Sequence, residues 1–347
     1  MAGKGGTSRA SVALPRGRAT NGGNGLVTPE AHGTTVVVPA MEVEDLLPFG
    51  PQHRFPDRRA RGLGWLRDHP DIRDATIHAP APKQVKKDAV GAKSLHQRAT
   101  EPLKAAASKP MPPRVDNRRY CSPIEDQGNL GSCTAQSCAG LVEYMERRAS
   151  GRHVEASRLF LYKVTRKLLG WTGDTGAFLR ATMKALVLFG APPEEWWPYR
   201  ISTFDRDPDP FLYAYAANYQ AVRYLRLDAL GTPGAETLKN VKAALARGYA
   251  VMFGFSVYSS LGYAPDIPYP QPTDSQDGGH AVLAVGYDDS RPCAGVPAGA
   301  LLIRNSWGAA WGDQGYGWLP YEYVVRGLAD DFWTCYKLDW VDSGQFA

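Results

Sequence analysis

Four residues of the 347-residue chain have the types and order that thiol chemistry needs: Gln127 and Cys133 in QGNLGSCTA, His280 in DGGHAVLAVGYDD, and Asn305 in LLIRNSWGAAWGDQGYG. A thiol attacks a carbonyl only as a thiolate, which a helix N-terminus and a neighbouring imidazolium both stabilise. Cys133 immediately precedes an amphipathic pattern, where a helix should begin. His280 follows two glycines and opens an apolar run, so its ring can stand at a strand end. The Asn305 side-chain carbonyl can accept from an imidazole N–H and hold the ring in one tautomer. Attack on a carbonyl leaves an oxyanion, for which the Gln127 amide and the Cys133 backbone N–H are candidate donors. Each residue alone has an ordinary structural explanation: a packed thiol, a hydrogen-bonded histidine, an asparagine ending a strand. The order cysteine, histidine about 150 residues on, then asparagine favours a catalytic set.

The elements that must position them follow from periodicity. Ala135, Cys138, Ala139, Val142 and Met145 recur at helical spacing behind Ser132, a candidate cap. Further helices are expected near Arg158–Leu169, near Ala177–Phe189 with Gly190 as its end, and over Glu236–Arg247 before Gly248. Tyr249–Val257, His280–Asp288 and Ala300–Asn305 read as strands, with YGWLPY and FWTCYKLDW as further candidates. Helices first and strands later predict an α+β protein with a helical half, a sheet half and a cleft between them.

Composition narrows the partners. The net charge is +5, but 17 Lys/Arg against 10 Asp/Glu in residues 1–110 leave the remainder with 23 against 25. The basic excess therefore belongs to the N-terminal third. It is neither dense nor aromatic-interleaved enough for nucleic acid. No apolar run reaches the roughly 20 residues of a membrane span, and the N-terminus has no signal-type apolar segment. No nucleic-acid, membrane, metal or cofactor partner is expected, and a monomer is. The expected location is the cytoplasm, or outside the cell by a route the N-terminus does not encode. Five cysteines in a chain this long, without a C-x-x-C pair, make neither a disulfide scaffold nor a zinc site. Residues 1–40 read as a disordered tail, 41–110 as an N-terminal extension with Trp65 as its anchor, 111–341 as the globular domain and 342–347 as a C-terminal tail. Within the extension, 79–113 reads as a Pro/Ala/Lys linker.

From about Met111 to about Val341 the chain resembles papain-like cysteine peptidases, on QGNLGSC, GGHAVLAVGY and RNSWGAAWGDQGYG. LGSCTA, the preceding PPRVDNR and the upstream GWLRDHPDIRD are similar to the bacterial, xylellain-like members. The resemblance implies a papain-like two-domain fold, an antiparallel β-barrel-like half facing the helical half across the active-site cleft. It implies a thiol endopeptidase: Cys133 the nucleophile, His280 the base and acid, Asn305 its orienter, Gln127 the oxyanion donor, and peptides or proteins the substrates. Trp307 would shield the Asn–His bond and Trp311 line the primed side. Phe253, Gly278 and Gly279 would border the pocket for the substrate residue two before the cut, expected to be apolar or aromatic. Gly173, Asp174 and Gly176 would form the opposite wall. The family's cysteine before the nucleophile and tryptophan after it are Leu130 and Thr134 here. The remaining cysteines are expected as free thiols, with a Cys293–Cys335 bridge as the alternative. The resemblance also makes the N-terminal extension a candidate cleft-blocking segment, against the alternative of a permanent strap. The competing functions are a proteolytically silent binding scaffold and a thiol amidase acting on cell-wall peptides.

Overall fold

The computed structural model describes residues 61–79, 94–219 and 222–346. The expected tail 1–40 and the first part of the extension, including MEVEDLLPFG, lie outside the described residues.

The first described piece is a strap, residues 61–79, with a two-residue strand β1 (Trp65–Leu66). Helix α1 (Leu95–Ala107) follows. Residues 79–113 are therefore not all linker. Pro102 and the lysines disguise a helix that begins with a capping box: Ser94 accepts from the Gln97 amide while the Gln97 side chain accepts from Ser94 N–H. Ala99 and Leu103 are buried in the main core, and α1 packs on helices near residues 234–246 and 338–342. Replacing Leu103 by alanine is expected to destabilise the protein by about 2–5 kcal/mol, read as a shift of the urea midpoint; a shift near zero would make α1 peripheral.

After β2 (Arg114–Asp116), α2 (Cys133–Ser150) carries the candidate nucleophile Cys133 at its first turn. Its residues Cys133–Met145 are buried without a break, so this helix is the centre of the core rather than a surface helix. Gly151, at φ 76°, ends it with a left-handed cap. Ser132 stands at the N-cap position without capping through its side chain; its hydroxyl instead pairs with the Tyr199 hydroxyl at 2.7 Å. Helix α3 (Arg158–Leu168) packs on α2; strand β3 (Ala177–Phe178) runs directly into α4 (Leu179–Phe189), and α5 (Pro210–Ala216) follows.

The second half is a sheet. Strands β4 (Arg223–Arg226), β5 (Val251–Tyr258), β6 (Gln276–Asp288), β7 (Ala300–Arg304), β8 (Tyr316–Pro320) and β9 (Ala329–Tyr336) pair antiparallel in the order β4-β9-β5-β6-β7-β8, and β2 adds to β6. Helix α6 (Gly234–Ala246) precedes β5, and the short α7 (Tyr321–Val325) joins β8 to β9. FWTCYKLDW is a strand only to Tyr336; α8 (Leu338–Asp342) takes the rest. The chain is still packed beyond 342, with Phe346 buried 4.9 Å from the Tyr249 ring. Helix α2 crosses β5, β6 and β9, so the helical and sheet layers share one core, with the cleft at the N-terminal end of α2. All five cysteines are free thiols.

Candidate active site

Cys133 is fully buried at the start of α2. The backbone amides of Ala281, Gly64 and Thr134 near its sulfur favour the thiolate, but burial outweighs them and pushes the thiol up to about 11. Ala281 is the neighbour of His280, so β6 brings the imidazole strand against the sulfur. His280 Nε2 donates to Asn305 Oδ1 at 2.7 Å, and that oxygen also accepts from the Ser306 amide at 2.8 Å. The bond fixes the tautomer: Nε2 carries the proton and Nδ1, buried without a partner, is left as the base. The Trp307 ring stacks on the imidazole at 4.4 Å, and Trp311 meets Trp307 edge-on at 5.7 Å. Together they exclude water from the His–Asn bond. Burial pulls the His280 imidazolium down to about 4, so the closed site holds a neutral thiol and a neutral imidazole at pH 7.

Gln127 is held from every side. Its amide N–H donates to Ser306 O at 2.9 Å, and its side-chain Oε1 accepts from Ser306 Oγ at 2.6 Å. With the oxygen occupied, the side-chain NH₂ must face the cleft, where it donates to Leu130 O at 2.8 Å and Gly62 O at 2.9 Å. Ser306 thus ties Gln127, the candidate oxyanion donor, to Asn305, the partner of His280, through its amide and its hydroxyl. Ser306→Ala frees the amide to rotate, and kcat/KM is expected to fall about 10-fold with KM nearly unchanged; a change confined to KM would assign Ser306 to substrate binding instead.

The strap runs through this site. Gly62 N–H donates to Gly128 O at 3.1 Å, its carbonyl takes the Gln127 amide, and the Gly64 amide meets the Cys133 sulfur. Gly64 O accepts from Ala177 N at 2.8 Å, and β1 pairs with β3 in parallel. A Cβ on Gly62 or Gly64 would lie 1.9 Å from the carbonyl oxygens of Leu130 and Gly131, so only glycine allows this approach. Alternate residues point the other way: Leu63 lies against Gly278 and the Trp65 indole against Gly254 and Gly279. Arg61 donates to Trp307 O at 2.8 Å. Beyond Trp65, Arg67 pairs with Asp330, while Asp68 and Asp74 pair with Arg180 of α4.

The other candidates divide. Gly278, Gly279, Trp307 and Gly176 touch the strap. Gly173 and Asp174 brace the cleft wall: Asp174 accepts from the Gly131 amide and the Tyr162 hydroxyl, and Gly173 is tied to Asp205 and Arg166. Phe253 is buried in the sheet core, stacked on Phe332 at 4.8 Å, and the next residue, Gly254, carries the indole. Ser306, Tyr199 and Asp331 are site or pocket residues that sequence reasoning missed. The acidic pair Asp330–Asp331, inside an otherwise apolar strand, was the available signal for the last.

The family model described as papain family cysteine protease matches residues 111–330. The chain belongs to the papain family of cysteine proteases. Among curated relatives, it is 34% identical over 218 residues to a peptidase C1-like protein of Acanthamoeba polyphaga mimivirus, a match covering 60% of this chain and 68% of the viral one. It is 32% identical to the oryzain gamma chain of Oryza sativa subsp. japonica over 56% of this chain, spanning only about half (51%) of that relative. Among solved structures, xylellain, a cysteine protease from Xylella fastidiosa, superposes with a TM-score of 0.63 at 33% identity, covering all of xylellain and 82% of this chain. That share exceeds what residues 111–347 can supply, so the papain-family likeness reaches into the N-terminal segment.

Proposed function

We propose that this papain-family chain is a thiol endopeptidase of proteins or peptides, held closed by its own residues 61–79. The supporting observation is the path of the strap: an extended chain lies on both sides of the Cys133 sulfur, from Arg61 at Trp307 to Trp65 beside Gly254 and Gly279. A cleft that accepts chain on both sides suits cutting within a chain. The buried, singly hydrogen-bonded His280 beside Ala281 supplies the base, Cys133 forms the thioester, and the Gln127 side-chain NH₂, which now holds the Gly62 carbonyl, is the donor freed for the oxyanion. The strap escapes cleavage because it offers the sulfur an amide N–H, not a carbonyl carbon. Its carbonyl at Gly62 instead occupies the Gln127 donor.

The test compares full-length protein with its Trp65→Ala variant under reducing conditions, on fluorogenic peptides and on muropeptides. Hydrolysis of ordinary peptides by the variant, abolished by Cys133→Ala, is the expected result. Cleavage restricted to muropeptides would favour the amidase, and a folded variant that cleaves neither, with Cys133 inert to a thiol-reactive epoxide, the binding scaffold.

A further inference from the structure

Gln127 and Cys133 stand at the two ends of one loop, and a single hydroxyl ties those ends together. Tyr199 Oη donates to the Gln127 carbonyl at 3.0 Å and meets Ser132 Oγ, on the residue before Cys133, at 2.7 Å. A phenol has one proton to give. The carbonyl can only accept, so that proton goes to Gln127 and the Ser132 hydroxyl donates to Tyr199. Ser132 Oγ in turn accepts from Gln136 Nε2 at 3.3 Å, and Gln136 Oε1 accepts from the Arg158 guanidinium at 3.4 Å. The result is a directional chain from Arg158 through Gln136, Ser132 and Tyr199 to the Gln127 carbonyl, begun by a cation and polarised toward the loop. Burial pushes the Tyr199 hydroxyl up to about 12, so it keeps the proton that the chain needs.

The seat of Tyr199 is fixed. The Arg158 guanidinium lies 4.6 Å from the centre of its ring and pairs with both Glu125 and Glu194. Glu194 also accepts from the Tyr199 backbone N–H at 3.1 Å. The loop it holds has more freedom. Gly128 stands at φ 61°, and a glycine passes between positive and negative φ at little cost, so the Gln127–Gly128 peptide can turn over. The Leu130 amide reaches the same carbonyl only at 3.4 Å. Ser306 secures the amide and the side-chain oxygen of Gln127; its carbonyl depends on Tyr199. From this geometry we infer that Tyr199 is a positioning residue: its hydroxyl holds the Gln127–Cys133 loop in the arrangement that aims the Gln127 side-chain amide at the oxyanion. It touches no reacting atom and acts through Gln127. The inference rests on the endopeptidase reading and adds a residue to its machinery.

The experiment compares Tyr199→Phe with its parent, both full-length in the Trp65→Ala background. It reads hydrolysis of one fluorogenic peptide, protection of Cys133 from iodoacetamide by a peptide aldehyde of the same sequence, and the iodoacetamide rate alone. The aldehyde adds to the thiol and places its oxygen where the oxyanion forms, whereas alkylation makes no oxyanion. We expect kcat to fall about 10-fold with KM within about twofold, aldehyde affinity to fall by about the same factor, and alkylation to change less than about twofold. In a Gln127→Ala protein the same substitution is expected to cost less than about twofold more, because the hydroxyl acts only through Gln127. An unchanged kcat, a loss confined to KM, alkylation slowed as much as kcat, or a loss of about 10-fold retained in Gln127→Ala overturns the inference. If Tyr199→Phe does not fold, Ser132→Ala, which removes the hydrogen the phenol accepts, carries the same test with an expected loss of about threefold. Cleavage without a Tyr199 effect leaves the endopeptidase standing. A parent that cleaves no peptide removes the endopeptidase, and aldehyde protection, which needs no turnover, still decides whether Tyr199 aims the donor.

Discussion

Replacing His280 by alanine in the Trp65→Ala background is expected to lower kcat/KM for peptide hydrolysis about 10⁴-fold, and Asn305→Ala about 10²-fold. The difference follows from what each residue does. His280 Nδ1, buried without a partner on the strand that meets the sulfur at Ala281, is the candidate base, and positioned proton transfer contributes up to about 10⁴. Asn305 touches no reacting atom; it holds Nε2–H at 2.7 Å and so keeps Nδ1 unprotonated and aimed. Trp307 on the imidazole face, at 4.4 Å, retains part of that orientation when Asn305 is lost. Steady-state rates on one fluorogenic peptide decide the matter. Equal losses for the two variants would mean that the asparagine is as indispensable as the base, and a negligible loss for His280→Ala would remove it from the mechanism.

The second large effect is opening. Trp65 is buried and anchors the strap, and truncating such a tryptophan costs about 3–5 kcal/mol. With that anchor gone, Cys133 regains water and its thiol falls from about 11 toward its ordinary value near 9 or below. The thiolate fraction at pH 7 then rises about 100-fold or more, because each unit of pKa is a factor of ten. The sign with pH follows. In the closed protein Cys133 alkylation is slow at neutral pH and climbs only as pH approaches 11. In Trp65→Ala it is fast at pH 7, and faster still where His280, freed from burial, can hold its proton beside the thiolate. Iodoacetamide labelling of the Cys133 peptide between pH 5 and 10 reads both profiles. Superimposable profiles would mean that the strap does not control access.

Much of this site is legible in the sequence, for a physical reason. Cys133 opens α2 and Asn305 follows the last residue of β7, as the flanking glycines and the NSWG segment suggest, but His280, expected to open its strand, lies inside β6, which starts at Gln276 and pairs through Gly278 and Gly279. The central helix was equally plain, since Ala135, Cys138, Val142 and Met145 share one face. Helix α1 was hidden because composition dominated: proline at 102 and scattered lysines outweighed the Ser94–Gln97 capping box. The strap's role rests on contacts 60 to 270 residues apart, such as Gly62 with Gln127 and Trp65 with Asp331, which no local pattern encodes. Its spacing of glycines at 62 and 64, with large apolar residues at 63 and 65, is readable only once a backbone is known to pass within van der Waals distance. Among the described residues, Arg61 pairs with Asp126 and Arg67 with Asp330.

The central claim is that the Cys133 sulfur takes an acyl group from a peptide substrate. The most direct measurement is intact and peptide-level mass spectrometry of full-length Trp65→Ala, acid-quenched during turnover of an activated peptide ester. The account predicts one acyl adduct per chain, on the tryptic peptide containing Cys133, absent from Cys133→Ala and lost again as hydrolysis completes. No adduct during measurable turnover, or an adduct on Cys121, Cys138, Cys293 or Cys335 instead, would contradict it.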